Sequence, residues 1–422
     1  MDCAMATPLV LKSKKASALG GGHRWKVLGV GVAANASFSA AAAGIPTTAV
    51  WLRSGYHLSN GELELVLGAL GLGVALSELP WGVLTDRWGD RPVLLTGLLS
   101  TAAVLVAMSL FAVPSAATLG WFVFAMCVLG LLGGSVNGSS GRAVMAWFGE
   151  GERGLAMSIR QTAVPLGGGI GAALLSWLAS SHGFAPVFGA LAAMCAASGA
   201  FAWRWLHEPP GATHRAARNE GAAPLRNPVV WRVVLGIGIL CVPQFAVLTF
   251  ATVFLHDAAR FGVSAISATM GAVQLGAMAM RVWSGRHTDR RGNQRAYLRI
   301  SVIVASASFG AQAPWPLAAM LVFAGVCVSA WHGVAYTELA TLAGTARAGT
   351  ALGMANTAVY AGFLPHAARD SPCARCRILG YRVARGGRVR VARMAVVSEA
   401  RATFNWQSDS RMPGALTLIL IG

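Results

Sequence analysis

The sequence predicts an all-helical membrane protein built from two similar halves. Only 12% of its 422 residues are charged, whereas about 25% is usual for a soluble domain. Apolar runs of about 20 residues recur along the chain, and each is long enough to cross the hydrocarbon core of a bilayer as a helix. Backbone amides in lipid need partners within their own segment, which favours a helical bundle. A short charged motif that occurs twice indicates the two halves.

The apolar runs form two series, which are separated by a polar stretch at 207–228. A basic leader at 1–26 comes first and lacks the apolar core and cleavage site of a signal peptide. The amino-terminal half, 27–206, contains six predicted spans, at about 27–50, 62–84, 92–112, 119–146, 154–178 and 184–206. The carboxy-terminal half, 229–364, contains five, at about 229–255, 264–284, 296–312, 315–340 and 347–364.

The formal net charge of +18 indicates how the chain is oriented in the membrane. Most cations between the apolar runs lie in alternate loops, for example Arg87 with Arg91 and Arg286 with Arg290. Cytoplasmic loops carry such an excess of Lys and Arg, so the charge requires no nucleic acid as a partner. We therefore expect a multi-pass protein of the cytoplasmic (inner) membrane, in contact with lipid, whose amino terminus is cytoplasmic.

The charged motif follows the second apolar run of each half. Its first copy is Gly82-Val-Leu-Thr-Asp86-Arg87-Trp-Gly89-Asp90-Arg91, and its second is Gly285-Arg-His-Thr-Asp289-Arg290-Arg-Gly292. The leading glycines leave room where helices cross closely. The aspartates can cap or pair at a neighbouring helix end, and the arginines can anchor at the lipid headgroups. We interpret these residues as a hinge and latch, and the equal placement of the copies predicts two halves with the same orientation.

The first copy resembles motif A of the major facilitator superfamily, G-x-L-x-D-R-x-G-R-[KR], and the second copy matches it more loosely. Glu150 to Gly171 is also similar to the fourth loop and fifth helix of that superfamily. The resemblance covers about 27–364 and implies two six-helix halves around a central cavity. Asp90 stands where the family usually has a cation, and Asn293-Gln294 departs in the second copy, which predicts a weaker second latch.

The resemblance implies a secondary active transporter, which moves a small solute by alternating access. We expect no cofactor and no enzymatic activity, a monomer, and proton symport as the default coupling. A non-transporting sensor on the same scaffold is one alternative. An intramembrane protease of the rhomboid type is another, with Gly138-Ser-Ser140-Gly141 as its nucleophile motif and His332 as its base. No G-x-x-x-x-G-K-[ST] phosphate loop occurs, so ATP hydrolysis is not expected.

Arg160 is the main candidate for substrate binding, because an ionisable residue at membrane depth is costly and usually functional. It lies seven residues beyond the loop residue Arg153, about 10 Å along a helix, and Gln161 is next to it. One interpretation is a snorkelling or helix-paired arginine. The other is a clamp that holds a carboxylate or phosphate by two parallel hydrogen bonds, which favours an anionic solute.

Neutral polar residues in the spans offer further hydrogen bonds to a solute. Most such residues instead join neighbouring helices, and His332, which could carry a proton, has the same structural alternative. The candidates for the cavity are Asn35, Asn137, Gln244, Gln274, His332, Tyr336, Asn356 and Tyr360.

Four charged residues in the spans suggest two ion pairs. Glu78 and Arg281 occupy matching positions in the two halves, while Arg142 and Glu338 lie at similar depths in the fourth and tenth spans. We expect Glu78 to pair with Arg142 and Arg281 with Glu338. Such pairs either open and close as a gate or hold the helices together permanently. A third interpretation, implied by the resemblance, is a role of the fourth-span Arg142 in proton coupling.

The last segment, 365–422, differs from the rest of the chain. It is rich in arginine and contains no apolar run long enough to span a membrane, so the expected twelfth helix is missing. A shifted reading frame or a damaged carboxyl end explains this better than a designed tail. Cys373 and Cys376 form a C-x-x-C, but no second pair accompanies them, and we expect no metal site.

Overall fold

A computed structural model describes residues 22–112, 118–207, 224–257, 260–300 and 317–361, and within these ranges the regular secondary structure is entirely helical. The amino-terminal half contains α1 His23–Thr47, α2 Ala49–Gly55, α3 Asn60–Trp88, α4 Asp90–Phe111, α5 Leu119–Gly133, α6 Ser135–Trp147, α7 Arg153–Gln161, α8 Ala163–Ser181 and α9 Phe184–Trp205. The carboxy-terminal half contains α10 Pro228–Asp257, α11 Val263–Arg291, α12 Leu317–Ser329, α13 His332–Ala343 and α14 Ala348–Ala361.

The helices coincide with the apolar runs of the sequence. Six helical segments among the described residues are long and apolar enough to cross a membrane. They are His23–Thr47, Asn60–Trp88, Asp90–Phe111, Leu119–Trp147, Arg153–Ser181 and Phe184–Trp205. In the second half, α10, α11, the α12 and α13 pair, and α14 correspond to four predicted spans. The ninth predicted span is described only as far as residue 300, and the leader and the arginine-rich tail lie outside the described residues.

The two motif copies end their helices in similar ways. Helix α3 begins with a capping box, in which Ser59 Oγ accepts from the Glu62 amide and the Glu62 carboxylate accepts from the Ser59 amide. It stops at Gly89, whose φ is 95°. Helix α11 stops at Gly292, whose φ is 61°. Glycine adopts positive φ without the steric cost that a Cβ brings, so each motif uses glycine to turn the chain out of its helix.

Three of the spans are broken near their middle within the residues that the structure describes. The fourth is interrupted at Gly134 between α5 and α6, the fifth at Thr162 between α7 and α8, and the tenth between α12 and α13. In the fifth span Pro165 has no backbone N–H. The carbonyl of Gln161, which lies four residues earlier, therefore has no hydrogen-bond donor within its own helix. These breaks expose backbone carbonyls inside the bundle, where other side chains can bind them.

The halves meet through a shared apolar core. One cluster of buried residues contains Met145 and Met157 from the first half and Trp331, Leu339 and Leu352 from the second. Trp331 is 0% exposed. The apolar contact brings the motif-bearing ends of α3 and α11 against helices of the opposite half, and polar residues at this contact form the candidate site.

Candidate functional site

Asp86 of the first motif copy caps a helix of the opposite half. Its carboxylate accepts hydrogen bonds from the amides of Gly349 at 3.0 Å and Thr350 at 2.8 Å, and from the Thr350 hydroxyl at 2.5 Å. These donors lie in the first turn of α14, where backbone N–H groups have no partner within their own helix. A negative charge there also interacts favourably with the helix dipole.

Asp289 of the second copy makes the reciprocal contact. Its carboxylate accepts from the amides of Gly154 at 2.9 Å and Leu155 at 2.7 Å, in the first turn of α7. Each motif therefore caps a helix of the other half, at the same end of the bundle, which we call the motif end. Asp289 accepts two bonds, both from amides, and Asp86 accepts two from amides and one from the Thr350 hydroxyl. A weaker second latch stays a prediction.

The leading glycines allow the close approach that these caps require. A Cβ added at Gly82 would overlap the carbonyl oxygen of Gly349, and a Cβ added at Gly285 would overlap that of Gly154. The overlapped atoms are backbone, which cannot turn aside as a side chain can. Glycine and aspartate in each copy therefore serve one contact between the halves.

Arg142 binds the carboxylates of the first motif. Its guanidinium lies 2.7 Å from Asp90 and 3.3 Å from Asp86, so the unusual Asp90 has a cationic partner. These contacts replace the predicted pair of Glu78 with Arg142. Glu78 precedes Asp86 by two helical turns on α3, about 12 Å along the axis, and Arg142 extends toward the motif end.

Arg281 and Glu338 also have partners other than the predicted ones. Arg281 Nη1 donates to the Gln161 carbonyl at 2.7 Å and Nε to the Ser329 carbonyl at 3.1 Å. Both carbonyls lie at helix breaks, so the guanidinium finds acceptors that an unbroken helix would not offer. Glu338 pairs with Arg295 at 2.7 Å. The predicted pair of Arg281 with Glu338 is therefore wrong.

The motif arginines lie at the surface of the bundle. Arg91 donates to the Trp203 carbonyl at 2.8 Å, and its guanidinium lies over the Trp203 ring at 5.1 Å from the centroid. Arg87 and Arg290 are exposed. Anchoring of these cations at lipid headgroups stays a prediction.

A polar network occupies the interface between the halves, deeper than the motif end. Arg160 donates through Nε to the Ser140 hydroxyl at 2.9 Å and through Nη2 to the Asn137 carbonyl at 2.8 Å and Oδ1 at 3.3 Å. Glu78 accepts from Asn137 Nδ2 at 2.7 Å and from Asn356 Nδ2 at 3.2 Å. The Tyr336 hydroxyl donates to Asn356 Oδ1 at 2.7 Å.

This network joins both halves through neutral amides. Glu78, Asn137 and Arg160 belong to the first half, and Tyr336 and Asn356 to the second. Arg160 is 1% exposed and Glu78 is 0% exposed. The sequence identifies each of these residues as a polar group in a span. The sequence does not indicate that Asn137 lies between Glu78 and Arg160 and contacts both.

The remaining candidates also lie within the bundle. Asn35 and Gln244 are 1% and 8% exposed. Asn35 Nδ2, Gln244 Oε1 and His332 Nδ1 are buried with no hydrogen-bond partner among the described residues. The His332 ring stacks on Trp331 at 3.9 Å. Gln161 contributes its backbone carbonyl to Arg281.

The small-residue face at Gly138 to Gly141 packs within the bundle. Ser139 and Ser140 donate to carbonyls one turn earlier, those of Ser135 and Val136, and the Ser140 hydroxyl also accepts from Arg160. Such bonds are typical of hydroxyls inside a helical bundle. Among the described residues, no group of three or more His, Cys, Asp or Glu could hold a metal ion, and Cys373 and Cys376 lie outside them.

Comparisons of sequence point to one family. The family model described as the Major Facilitator Superfamily matches residues 30–365. An uncharacterised MFS-type transporter of Mycobacterium tuberculosis is 29% identical over 352 residues, which are 80% of this chain and 76% of the relative. A glycerol-3-phosphate transporter of Bacillus subtilis is 37% identical over 119 residues, 28% of this chain and 26% of the relative.

Comparisons of structure give the same fold. The proton:xylose symporter XylE aligns with a TM-score of 0.67 at 16% identity, over 82% of this chain and 88% of the other. The human organic anion transporter MFSD10 aligns with a TM-score of 0.63 at 17% identity, over 82% of this chain and 93% of the other. The family match, the duplicated motif and this bundle agree: the protein is a multi-pass membrane transporter that belongs to the major facilitator superfamily.

Proposed function

We propose that this transporter moves a small organic anion across the cytoplasmic membrane by alternating access, coupled to protons. The observation that carries the proposal is the burial of two arginines, one from each half, at the contact between the halves. Arg160 and Arg281 are 1% and 2% exposed. A buried guanidinium is costly unless its charge is compensated, and an anionic solute would supply that compensation at the centre of the bundle.

One donor of the Arg160 guanidinium has only a weak hydrogen-bond acceptor. Its Nη1 faces the Met157 sulfur at 3.8 Å, and a thioether is a weak acceptor. A carboxylate or phosphate that reached this edge would form a stronger, charge-assisted bond, and guanidinium geometry favours two parallel bonds to such groups. We therefore favour carboxylates and phosphate esters as substrates.

The matched segment of the Bacillus subtilis relative supports the same substrate class. That relative is named as a glycerol-3-phosphate transporter, and glycerol 3-phosphate is a small organic anion. The segment covers only 28% of this chain, so its name suggests a class of substrate to test first and does not select one compound.

Alternating access would proceed by release of the contacts at the motif end. The caps formed by Asp86 and Asp289 and the bond of Arg281 to Gln161 all join one half to the other, so the halves cannot separate there without breaking them. Two like-oriented halves that rock about a central site are a common transporter design. With the cationic loops and the amino terminus in the cytoplasm, the motif end would be the cytoplasmic end.

The test is substrate counterflow with the full chain in proteoliposomes. A panel of labelled carboxylates and phosphate esters, including glycerol 3-phosphate, is compared in wild type, R160Q and R160K. Loss of hydrogen bonds to a charged group predicts a reduction of about 10- to 150-fold in transport efficiency for R160Q. R160K keeps the charge and should retain more activity. R204Q, which removes an exposed cation, is the matched control and should match wild type.

The outcomes separate the proposal from its alternatives. Each variant is first compared with wild type by thermal unfolding and size-exclusion chromatography, so that a misfolded R160Q is recognised. Uptake of every anionic substrate by folded R160Q would remove Arg160 from the site. Wild-type protein that binds a solute but shows no counterflow would favour a sensor.

A further inference from the structure

We propose that Glu78 carries the proton that is coupled to anion movement, and that Asn137 links this carboxyl group to the anion-binding guanidinium of Arg160. The proposal rests on the proposed function, because it assigns the proton site of an anion transporter. The observation that motivates it is a continuous chain of contacts. Arg160 Nη2 donates to Asn137 Oδ1 at 3.3 Å, and Asn137 Nδ2 donates to Glu78 at 2.7 Å.

Glu78 is a buried acid whose partners are neutral. Its side chain is 0% exposed, and the ion pairs found among the described residues involve other carboxylates. Its two oxygens accept instead from the amides of Asn137 and Asn356. Such a carboxylate is costly to keep ionised at membrane depth, so proton uptake is the change of state open to it.

The Asn137 amide has one orientation that satisfies both neighbours. Arginine can only donate and an ionised carboxylate can only accept, so the amide oxygen faces Arg160 and the amide nitrogen faces Glu78. The positive charge of Arg160 therefore stabilises the negative charge of Glu78 through a polarised amide. Asn137 acts as a positioning residue, since it is placed between the two charged groups.

Binding of an anion at Arg160 and protonation of Glu78 favour each other. Two negative charges near one guanidinium repel, and a proton on Glu78 removes that repulsion. Conversely, once Glu78 is neutral, the charge of Arg160 is no longer offset and attracts an anion more strongly. The coupling is reciprocal, and couplings between sites in proteins typically change affinity about 5- to 150-fold.

Protonation also alters a contact between the halves. Ionised Glu78 accepts from Asn137 of its own half and from Asn356 of the other half. A protonated carboxyl must donate through one oxygen, so one of these amides has to turn or move away. Asn356 is held by Tyr336 through a single hydroxyl bond. The same proton therefore changes both the anion site and a link across the interface.

Few other charged or titratable groups of the described residues act on Glu78. Arg160, Tyr336 and Tyr360 interact electrostatically with it. Arg142, on the helix that also supplies Asn137, contacts Asp86 and Asp90 at the motif end. Arg160 is thus the cation that acts on Glu78 from within the network.

The step balances in charge and atoms. A proton from water on the open side forms an O–H bond with a Glu78 carboxylate oxygen while a monoanion binds Arg160. After the halves rock, that O–H bond breaks to water on the other side and the anion leaves. For a monoanion, one proton and one negative charge cross together and no net charge moves. Glycerol 3-phosphate carries up to two negative charges near neutral pH, so its transport with one proton moves up to one negative charge.

The test compares exchange with accumulation, using the full chain in proteoliposomes and glycerol 3-phosphate as the probe. Wild type should exchange labelled anion and should accumulate it when the outside is made acidic. E78Q should still exchange, but its accumulation driven by the pH gradient should fall by roughly 5-fold or more. N137L should lose the pH dependence of anion affinity, and N137Q should restore part of it.

E338Q is the matched control, since it neutralises another buried carboxylate, which is paired with Arg295. It should leave gradient-driven accumulation unchanged. E78Q that accumulates anion like wild type would overturn the proposal.

Infrared titration of the purified protein decides the proton site without transport. An acid carbonyl band that E78Q lacks should grow as the pH is lowered, because burial favours the protonated carboxyl group, and its midpoint should change in R160Q. If no such band exists, Glu78 is not the proton site. If wild type exchanges no anion but the band titrates, the substrate class is wrong and the proton site stands.

Discussion

At Gly82, helix α3 passes so close to α14 that a methyl group would overlap the carbonyl oxygen of Gly349. The same helix contains Gly71, around which an added Cβ meets nothing within 4 Å. The two glycines look alike in the sequence. Their different surroundings show that the motif glycine is required by a contact between the halves, not by the conformation of its own helix.

We predict that G82A separates the halves at the motif end, whereas G71A does not. Alanine is favoured over glycine in a helix by about 1 kcal/mol, so G71A should leave the unfolding temperature unchanged or raise it. G82A should lower it because backbone atoms must move. Spin labels at the exposed positions R87C and R290C should report a longer distance in G82A. An unchanged distance would show that this contact does not control closure.

A second residue-scale prediction concerns the two aspartate caps. Removal of a helix cap typically costs about 0.5–2 kcal/mol, and Asp86 also contacts Arg142 at 3.3 Å. D86A should therefore lower the unfolding temperature more than D289A, which loses two amide bonds. Thermal unfolding of the two purified variants in the same detergent measures this. Equal effects would mean that neither the Thr350 hydroxyl bond nor the Arg142 contact adds stability.

At the scale of helices, the breaks determine where buried charge finds its partners. Pro165 leaves the Gln161 carbonyl without a helical donor, and Arg281 of the other half donates to it at 2.7 Å. Sequence alone indicates that Pro165 bends its span. The residue that donates to the Gln161 carbonyl is determined by the neighbouring helix, so the sequence alone does not indicate it.

We predict that P165A weakens this link. The restored N–H at position 165 can donate to the Gln161 carbonyl and compete with Arg281. The fifth span should become straighter. The distribution of distances between spin labels at R87C and R290C should shift to longer distances or become broader. P46A is the control, because Pro46 lies in the last turn of α1. A distance distribution that is identical in P165A and wild type would contradict this role of the proline.

At the scale of the whole molecule, two copies of one contact close one end of the bundle. Each half supplies a glycine and an aspartate from its second span and receives a cap at the start of its fifth. Such reciprocity is the expected result when a duplicated bundle packs against itself with both copies in the same orientation. The departure at Asp90 adds a contact to Arg142 in one copy, so the two contacts are not identical.

We predict that both motifs lie on the cytoplasmic side. In intact cells, a membrane-impermeant thiol reagent should fail to modify R87C and R290C and should modify R53C. Arg53 lies in α2 and donates to Asn60, the first residue of α3, at the opposite end of that helix from the motif. In inside-out vesicles the pattern should reverse. Modification of R87C and R290C from different sides would overturn the parallel arrangement of the halves and the functional assignments built on it.

The sequence by itself determined where the helices lie, that the motif occurs twice, and that the family is the major facilitator superfamily. Apolar length, turn glycines and motif spacing are local properties, so they can be read along the chain. Only the tertiary structure decided the partners of Glu78, Arg142, Arg281 and Glu338, where both predicted ion pairs were replaced. Those partners depend on the position of one helix along and around its neighbour, and on the carbonyls that helix breaks expose. Both properties arise only when distant segments of the chain pack together.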